Sequence, residues 1–534
     1  VVEDLKRVGA MRQIEDFTHQ VPHCYKCGTV IQPLLMKQWF INIKPLAKRA
    51  REAVEDGKIR FVPTQKGYEL IHYYDELRDW NISRQIPWGI PIPAFQNVND
   101  PDDWIFDTRV EQKEIEVNGQ TYRRDEDTFD TWFSSGQWPF VTTDYLTDGK
   151  LSKFYPNAVM ETGADILRAW VARMIMLGLY MTNKVPFKDV FLHGLILDEH
   201  GQKMSKSKGN VVNPMEIIDK YGSDALRIGI VMNRSAGQAQ AFSESSVIAG
   251  RNFCNKLWNI ARYIEDKADA AGVTNDEADG AKPETIADHW ILSRLDQAHN
   301  DLDNHISNYR FAEAIETIYH CIWDELADWY IEASKSDVNP AFMRRILGIA
   351  LRLVHPFAPF VSETIWTTIR GKESLLISQP WPTELRYSKE KANDFAKIIE
   401  LVSELRNIQG QLPNRKYRLV YDEGRVVAEN EALIASLAKL KDVKHDRTPH
   451  GLKIVLPSST TWLELTDEEI NSYKDDLQAK LDKLKNEIYA LEKRLENKGY
   501  VEKAPAALVE ETRKSLADKK RQTTHIGEQL AEIS

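Results

Sequence analysis

Lys203-Met204-Ser205-Lys206-Ser207-Lys208-Gly209-Asn210 is the stretch on which the reading of this chain turns. Three lysines are separated by small hydroxyl side chains and followed by glycine, the make-up of a mobile cationic loop. Upstream, Asp189-Val190-Phe191-Leu192 is a short apolar run and His193-Gly194 a turn; downstream, Pro214 suits a first helical turn. The order is therefore strand, turn, lysine loop, helix. Lysine ammoniums on such a loop can follow a phosphate chain as charge moves onto leaving pyrophosphate, and electrostatic stabilisation of this kind is often the largest catalytic contribution. A solvated basic loop is the plain alternative, and the cluster alone does not choose between the two. No GxxxxGK[ST] loop elsewhere offers a rival nucleotide site.

Working outward, residues 126–235 alternate apolar runs (Asn157–Met160, Asp189–Leu192) with helical patterns (Ile166–Tyr180, Pro214–Lys220, Asp224–Met232), which predicts βα units around a parallel sheet. Residues 1–98 read as short strands and turns. Within 99–125, Glu116-Val117-Asn118-Gly119-Gln120 is a hairpin signal. Beyond about 245 the apolar spacing turns helical over Asn252–Lys267, Ile286–Ser307, Arg310–Ser334 and Ala341–Leu353. Trp258, Trp290, Trp323, Trp329 and Trp366 fall on these patterns and are expected in the helix-packing core. Strands are expected near Arg418–Tyr421 and Leu452–Leu456. At the end, Leu477, Leu481, Leu484, Ile488, Leu491 and Leu495 follow a coiled-coil seam, Asn497-Lys498-Gly499-Tyr500 breaks it, and a second helix is expected from Pro505. Two such helices make an antiparallel hairpin roughly 45 Å long.

Composition sets outer limits. At 534 residues the chain holds material for three or four domains. A net charge of −10 argues against indiscriminate polyanion binding but leaves room for local basic patches. Four cysteines cannot build a disulfide framework, and no apolar run is long enough to span a membrane. A cytoplasmic protein with no membrane association is therefore expected; a monomer is expected too, though composition does not decide it. The chain opens Val1-Val2-Glu3-Asp4-Leu5 without an initiator methionine, and is expected to be a piece of something longer.

Taken with its context, the stretch from Asp189 through Pro214 matches the second signature of class I aminoacyl-tRNA synthetases, the KMSKS loop. Trp80-Asn81-Ile82-Ser83-Arg84-Gln85 resembles a signature shared by the valine, isoleucine and leucine enzymes, with Asn81 where cysteine is usual. Asp127-Thr128-Phe129-Asp130-Thr131-Trp132-Phe133-Ser134-Ser135 resembles the valine type. So do Thr162-Gly163-Ala164-Asp165-Ile166, Trp170 through Met176, and Arg251 through Asn259. The chain thus resembles the valine-type class I synthetases along essentially its whole length.

That resemblance implies a multidomain α/β plus all-α fold: 1–12 a remnant of the exit from an editing domain, 13–240 the second half of a Rossmann-like catalytic domain, 241–390 a helical-bundle anticodon-binding domain, 391–465 a small α/β subdomain, and 466–534 an antiparallel coiled-coil arm that braces tRNA. It implies ATP with Mg2+, valine and valine tRNA as substrates. His193, Gly194, Lys203, Met204, Ser205, Lys206 and Ser207 would bind ATP, with Lys203 and Lys206 catalytic; a lone histidine before glycine is as often structural. Asp165 suits the α-ammonium of an amino acid, and Trp132 and Ile166 would wall a small apolar cavity, or else simply pack in the core. Lys493-Arg494 and Lys519-Lys520-Arg521 would meet phosphates, or form solvated helix faces.

Cys24-x-x-Cys27, with His19 and His23 nearby, has zinc-knuckle spacing, but a structural zinc wants four ligands and a second cysteine pair near Pro93-Ala94-Phe95 is lacking. Zinc is not expected, and the motif reads as the remnant of a lost site. The first class I signature, His-x-Gly-His, occurs nowhere in the sequence. This chain by itself is therefore expected not to activate valine. An apolar pocket cannot strongly reject the isosteric threonine, so the whole protein is expected to carry a hydrolytic editing site. Two other readings stand beside this one: an isoleucyl-type synthetase, and a non-catalytic tRNA-binding protein descended from a synthetase.

Overall fold

The computed structural model describes every residue except 25–26, 33, 144–152, 233–235, 384, 457–458, 504–505 and 533–534; at 207, 459, 498, 502–503, 506–507, 525, 528–529 and 532 it describes the backbone only. The chain is mixed α/β with many helices, in two units, Val1–Leu192 and His193–Ser534. Among the described residues no helix is long and apolar enough to cross a membrane.

In the first unit, Phe187, Val190 and Leu192 put their side chains into one core from the strand Phe187–His193. Its neighbours are Asn157–Gly163 and Arg60–Val62, and the pairing with Arg60–Val62 is parallel. The strand Arg60–Val62 falls in the region expected to hold short strands and turns, but its bounds do not show in the sequence. Three residues are too few for an alternation to register, and only Phe61 of the three is buried. The helices Lys44–Glu55, Gln65–Glu76 and Ala172–Thr182 contribute Ala47, Ala50, Leu70 and Ile175 to the same core. Small residues on Lys44–Glu55 let its backbone come close, a fit that larger side chains would prevent.

The helix expected over Ile166–Tyr180 is not continuous. A 3-10 turn, Ala164–Ile166, leads into a π-helical turn, Leu167–Val171, before the α-helix Ala172–Thr182 ends at Asn183 in the left-handed region with φ 58°. The hairpin is as the Asn-Gly pair demands: Asn118 and Gly119 have φ of 52° and 76°, both positive, joining Glu114–Val117 to Gln120–Arg124. These strands extend to Ala94–Asn97 and Trp104–Phe106 in a four-stranded antiparallel sheet over Phe95, Ile115 and Tyr122.

In the second unit a large apolar core runs from Ile228 to Leu477, beside a small cluster of Ala225, Leu226 and Val247. It is built by the helices Glu244–Ala270, Ile286–Ser307, Phe311–His320, Pro340–Val354, Pro359–Arg370 and Lys389–Gln409. The pattern over Arg310–Ser334 reads as one helix, but its middle, Cys321–Tyr330, is wound as a π-helix. Trp290 and Trp366 are buried and Trp323 and Trp329 pack against the core, whereas Trp258 is 41 % exposed and does not belong to it. Trp258 follows Leu257 in sequence, and at 100° per residue the two cannot face the same side.

The strands Arg418–Tyr421 and Leu452–Leu456 are present, joined by Asp442–His445 and Ser459–Leu463 in a four-stranded mixed sheet. The helix Asp467–Glu496 starts on a capping box, Thr466 with Glu469. Extended backbone at Asn497 ends it, and a short helix, Lys498–Lys503, precedes the helix Ala506–Glu532. Tyr473 and Leu477 near the start of the first long helix, and Ile526 and Leu530 near the end of the last, meet the same core, so the two run in opposite directions. The expected start at Pro505 lies outside the described residues.

Candidate active site

In the first unit, the residues proposed to hold an amino acid sit on two short elements. Asp130 caps the helix Thr131–Ser135, its carboxylate accepting from Trp132 N at 3.2 Å. The same carboxylate accepts from Trp80 Nε1 at 3.0 Å and pairs with Arg84 at 2.9 Å, and Asp130 is 4 % exposed. This aspartate therefore locks the Trp80–Gln85 stretch to the Asp127–Ser135 stretch. Ser83, also buried, accepts from Trp39 N at 2.9 Å, while Asn81 takes hydrogen bonds with Gln38 and Ser83 that a thiol could not match.

Trp132 is half-buried against the core of this unit, and its helix packs on the π-helical turn Leu167–Val171. Trp170 Nε1 donates to Ser135 O at 3.0 Å across that contact. Just before the turn, Asp165 is exposed and Ile166 half-buried, with Ile166 at φ −109°, ψ 12°. This is the sparsely populated bridge region, where active-site residues are often held. Trp132, Asp165 and Ile166 thus lie on neighbouring elements. Single-turn π-helices cluster at functional sites because they turn side chains out of helical register.

In the second unit, the lysine loop is held at its root by one carboxylate. Asp198, 7 % exposed, accepts from Gln202 N at 2.7 Å, His200 N at 3.0 Å and Asn210 Nδ2 at 2.7 Å. The bond from Asn210, helped by the backbone donors, holds the Asp198 carboxyl below its ordinary range. Asn210 in turn accepts from Ser205 N at 2.9 Å. The loop is thereby closed across its base, while Lys203, Lys206 and Lys208 remain exposed. Lys206–Lys208 form a 3-10 turn ended by Gly209 at φ 68°. Met204 and Ser205 are half-buried, and Ser207 is described by its backbone alone.

His193 is exposed and Gly194 follows it. A Cβ on Gly194 would fall 1.7 Å from Gln238 O, so the backbones of the two segments approach where only glycine fits. Next to this contact, Ile196–Leu197 pairs in parallel with Gln240–Ala241. Asn213 caps the helix Pro214–Tyr221 through Met215 N at 3.0 Å. The following helix, Ser223–Val231, is tied to the helical region by Asp224, which accepts from Val361 N at 2.7 Å and Phe360 N at 3.3 Å. Arg227 donates to the carbonyls of Phe357 and Pro356. Gly229 and Gly250 let this helix lie directly on Glu244–Ala270, since a Cβ at either would meet backbone within 2.8 Å.

Asp130, Asp198, Asn210 and Asp224 are positioning residues that the motif reading passed over. Each lies in or beside a stretch singled out by sequence, but only the fold shows which backbone amides their side chains reach. At the Cys24/Cys27 turn, Cys27 Sγ bonds to Thr29 Oγ1 at 3.3 Å, lowering the thiol pKa, and His23 Nδ1 lies 2.8 Å from Gly28 O. Among the described residues no three His, Cys, Asp or Glu side chains are grouped to hold a metal.

Comparison with known proteins follows the same segments. The family model of tRNA synthetases class I (I, L, M and V) matches residues 14–243, that of the anticodon-binding domain of tRNA ligase 288–418, and that of the valyl tRNA synthetase tRNA binding arm 469–534. The valine–tRNA ligase of Petrotoga mobilis is 36 % identical over 100 % of this chain and 64 % of its own length. That of Thermotoga maritima is 37 % identical over 97 % of this chain and 61 % of its own length, and that of Geobacillus stearothermophilus 35 % over 100 % and 63 %. The chain thus spans somewhat under two thirds of the length of these relatives. With three matching models in sequence and this identity along its whole length, the chain belongs to the class I tRNA synthetases, in the valine–tRNA ligase family.

Proposed function

We propose that the chain carries the lysine-loop part of a valine–tRNA ligase. In the reaction, a valine carboxylate oxygen attacks the α-phosphorus of ATP, the bond to the β-phosphate oxygen breaks, and valyl-adenylate and pyrophosphate form. The valyl group then passes to the 3′ end of valine tRNA, releasing AMP. The observation that carries this reading is the lysine loop closed at its base by Asp198 and Asn210 with its ammonium groups outward. That arrangement suits a phosphate chain whose charge grows on the leaving group.

In this reading Lys203 and Lys206 stabilise the departing pyrophosphate, with His193, Gly194, Met204, Ser205 and Ser207 around ATP, which arrives with Mg2+. Asp165 meets the valine ammonium, and Trp132 and Ile166 bound its side chain. Residues 13–240 serve as catalytic-domain half, 241–390 as anticodon-binding bundle, 391–465 as small subdomain and 466–534 as a coiled-coil arm against tRNA, with 1–12 leading from an editing domain. The protein is then a cytoplasmic monomer.

The test is ATP–pyrophosphate exchange by the full-length protein with valine or isoleucine. Exchange is expected with valine, and Lys206→Ala should lower its rate by about 10²–10³-fold with KM for valine little changed, as for a group acting in the transition state. Isoleucine-dependent exchange, or a Lys206→Ala protein as fast as the parent, would sink the reading.

A further inference from the structure

In the first unit, the helix Ala172–Thr182 enters the core at once: Val171 just before it, then Ala172, Met174, Ile175 and Met176, are all buried there. Arg173 interrupts that run. It is half-buried, and burial pushes its pKa down from the ordinary arginine value. Methionine would fill the same space without the cost of taking a charge out of water, so packing alone does not account for an arginine here.

What the side chain touches does account for it. Its guanidinium lies 4.3 Å from the ring centroid of Trp80, a cation held on an aromatic face. Arg173 Nη1 donates to Ala169 O at 2.6 Å, a carbonyl inside the π-helical turn Leu167–Val171. At the base of the side chain, Arg173 Cβ packs on Gly136, where an added Cβ would stand 3.5 Å away. Gly136 ends the helix Thr131–Ser135, and Asp130, which caps the start of that helix, takes the Trp80 Nε1 hydrogen bond and acts on Arg173 by its charge. One side chain therefore meets the Trp80 stretch, the helix that carries Trp132, and the turn that directly follows Asp165 and Ile166.

We propose that Arg173 is a positioning residue for the amino-acid pocket, fixing where Asp165 and Ile166 stand relative to Trp132. The inference rests on the reading of those three residues as the valine pocket. Arg173 acts through them, by tying the π-helical turn to Trp80 and to the end of the Trp132 helix. A planar guanidinium can lie flat on the indole while one of its N–H groups reaches the carbonyl; a lysine ammonium has no flat face to lay on the ring. A binding constellation works only when the residues around it hold it in place, and a pocket displaced as a whole loses its hold on the bound amino acid, a loss that appears in KM.

The test is ATP–pyrophosphate exchange by the full-length protein and two variants, with valine varied at saturating ATP and then ATP varied at saturating valine. Arg173→Met keeps the stem against Gly136 and removes donor and charge; Arg173→Lys keeps a charge and a donor without the flat face. KM for valine is expected to rise about tenfold in Arg173→Met and about threefold in Arg173→Lys, with KM for ATP and the maximal rate within about twofold of the parent. A general loosening of the fold would instead lower the maximal rate and disturb both substrates together. Where the thermal midpoint shows that Arg173→Met does not fold, Arg173→Lys decides alone. A parent-like KM for valine in the folded variants overturns the inference, as does a rise in KM shared equally by ATP. A parent without valine-dependent exchange overturns the proposed function itself and this inference with it, so the two failures are told apart.

Discussion

Gly194 shows how much one hydrogen atom in place of a methyl group can decide. The Gln238 carbonyl occupies the place where a Cβ would stand, so Gly194→Ala must push the segment that carries His193 and the root of the lysine loop away from the segment Gln238–Ala241. A loss of about 1–3 kcal/mol, the usual cost of overpacking, is expected. Chemical denaturation would read it, and an unchanged midpoint would show that the segment moves freely. The lysines themselves were legible in the sequence because spacing and residue type carry their role. The Asp198–Asn210 closure was not, although both residues stand in the stretch quoted first. A short polar side chain reads the same whether it faces solvent or caps a turn, and only the path of the backbone between them brings the two within 2.7 Å. Trp258 errs in the opposite sense: an indole among apolar neighbours reads as core, yet its own angle on the helix turns it outward.

At the scale of elements, helices with strong caps were read almost to the residue. Ile286–Ser307 has Thr285 and Asp288 in a capping box, and Pro340–Val354 has Asn339 before its proline. The bounds of short strands such as Arg60–Val62 and Asp442–His445 were not legible because three or four residues show little period of their own and depend on partners far along the chain. The π-helical segments at Leu167–Val171 and Cys321–Tyr330 were missed because hydrophobic spacing cannot distinguish them from α-helix over five to ten residues.

Ser388, which caps the helix Lys389–Gln409, is itself held by a histidine. His289 Nδ1 accepts from Ser388 N at 3.0 Å, and burial, followed by the charge of Lys391, lowers its pKa below the ordinary 6.5. Burial lowers that of His355 in the same direction. Between the folded and unfolded pKa values the unfolded chain holds more protons, so these groups stabilise fully above pH 6.5, and that contribution is lost as pH falls toward the folded values. The thermal midpoint should therefore drop from pH 7.5 to 5.5, and His289→Gln, whose amide can still accept, should shrink the drop. A midpoint with the same pH dependence in parent and variant would contradict this.

For the whole molecule, a net charge of −10 makes RNA binding depend on where the positive groups stand. On the terminal helices many of them are engaged within the chain. Lys519 pairs with Glu487 and Lys520 with Glu492, while Lys493 and Arg494 lie over Tyr489 and Tyr500. Exposed ion pairs of this kind are worth about 0–1 kcal/mol each, so phosphates can replace the carboxylates at small cost. The family was legible because its signatures are local runs. In the proposed reading, the choice of tRNA rests on surfaces assembled from distant helices, and no single run spells that out.

The most direct measurement is therefore binding of this chain to valine tRNA and to isoleucine tRNA at one moderate salt concentration, held fixed because phosphate contacts make affinity steeply salt-dependent. At least a tenfold preference for valine tRNA is predicted. Equal affinity for the two, or a preference for isoleucine tRNA, would contradict the assignment of this chain to valine.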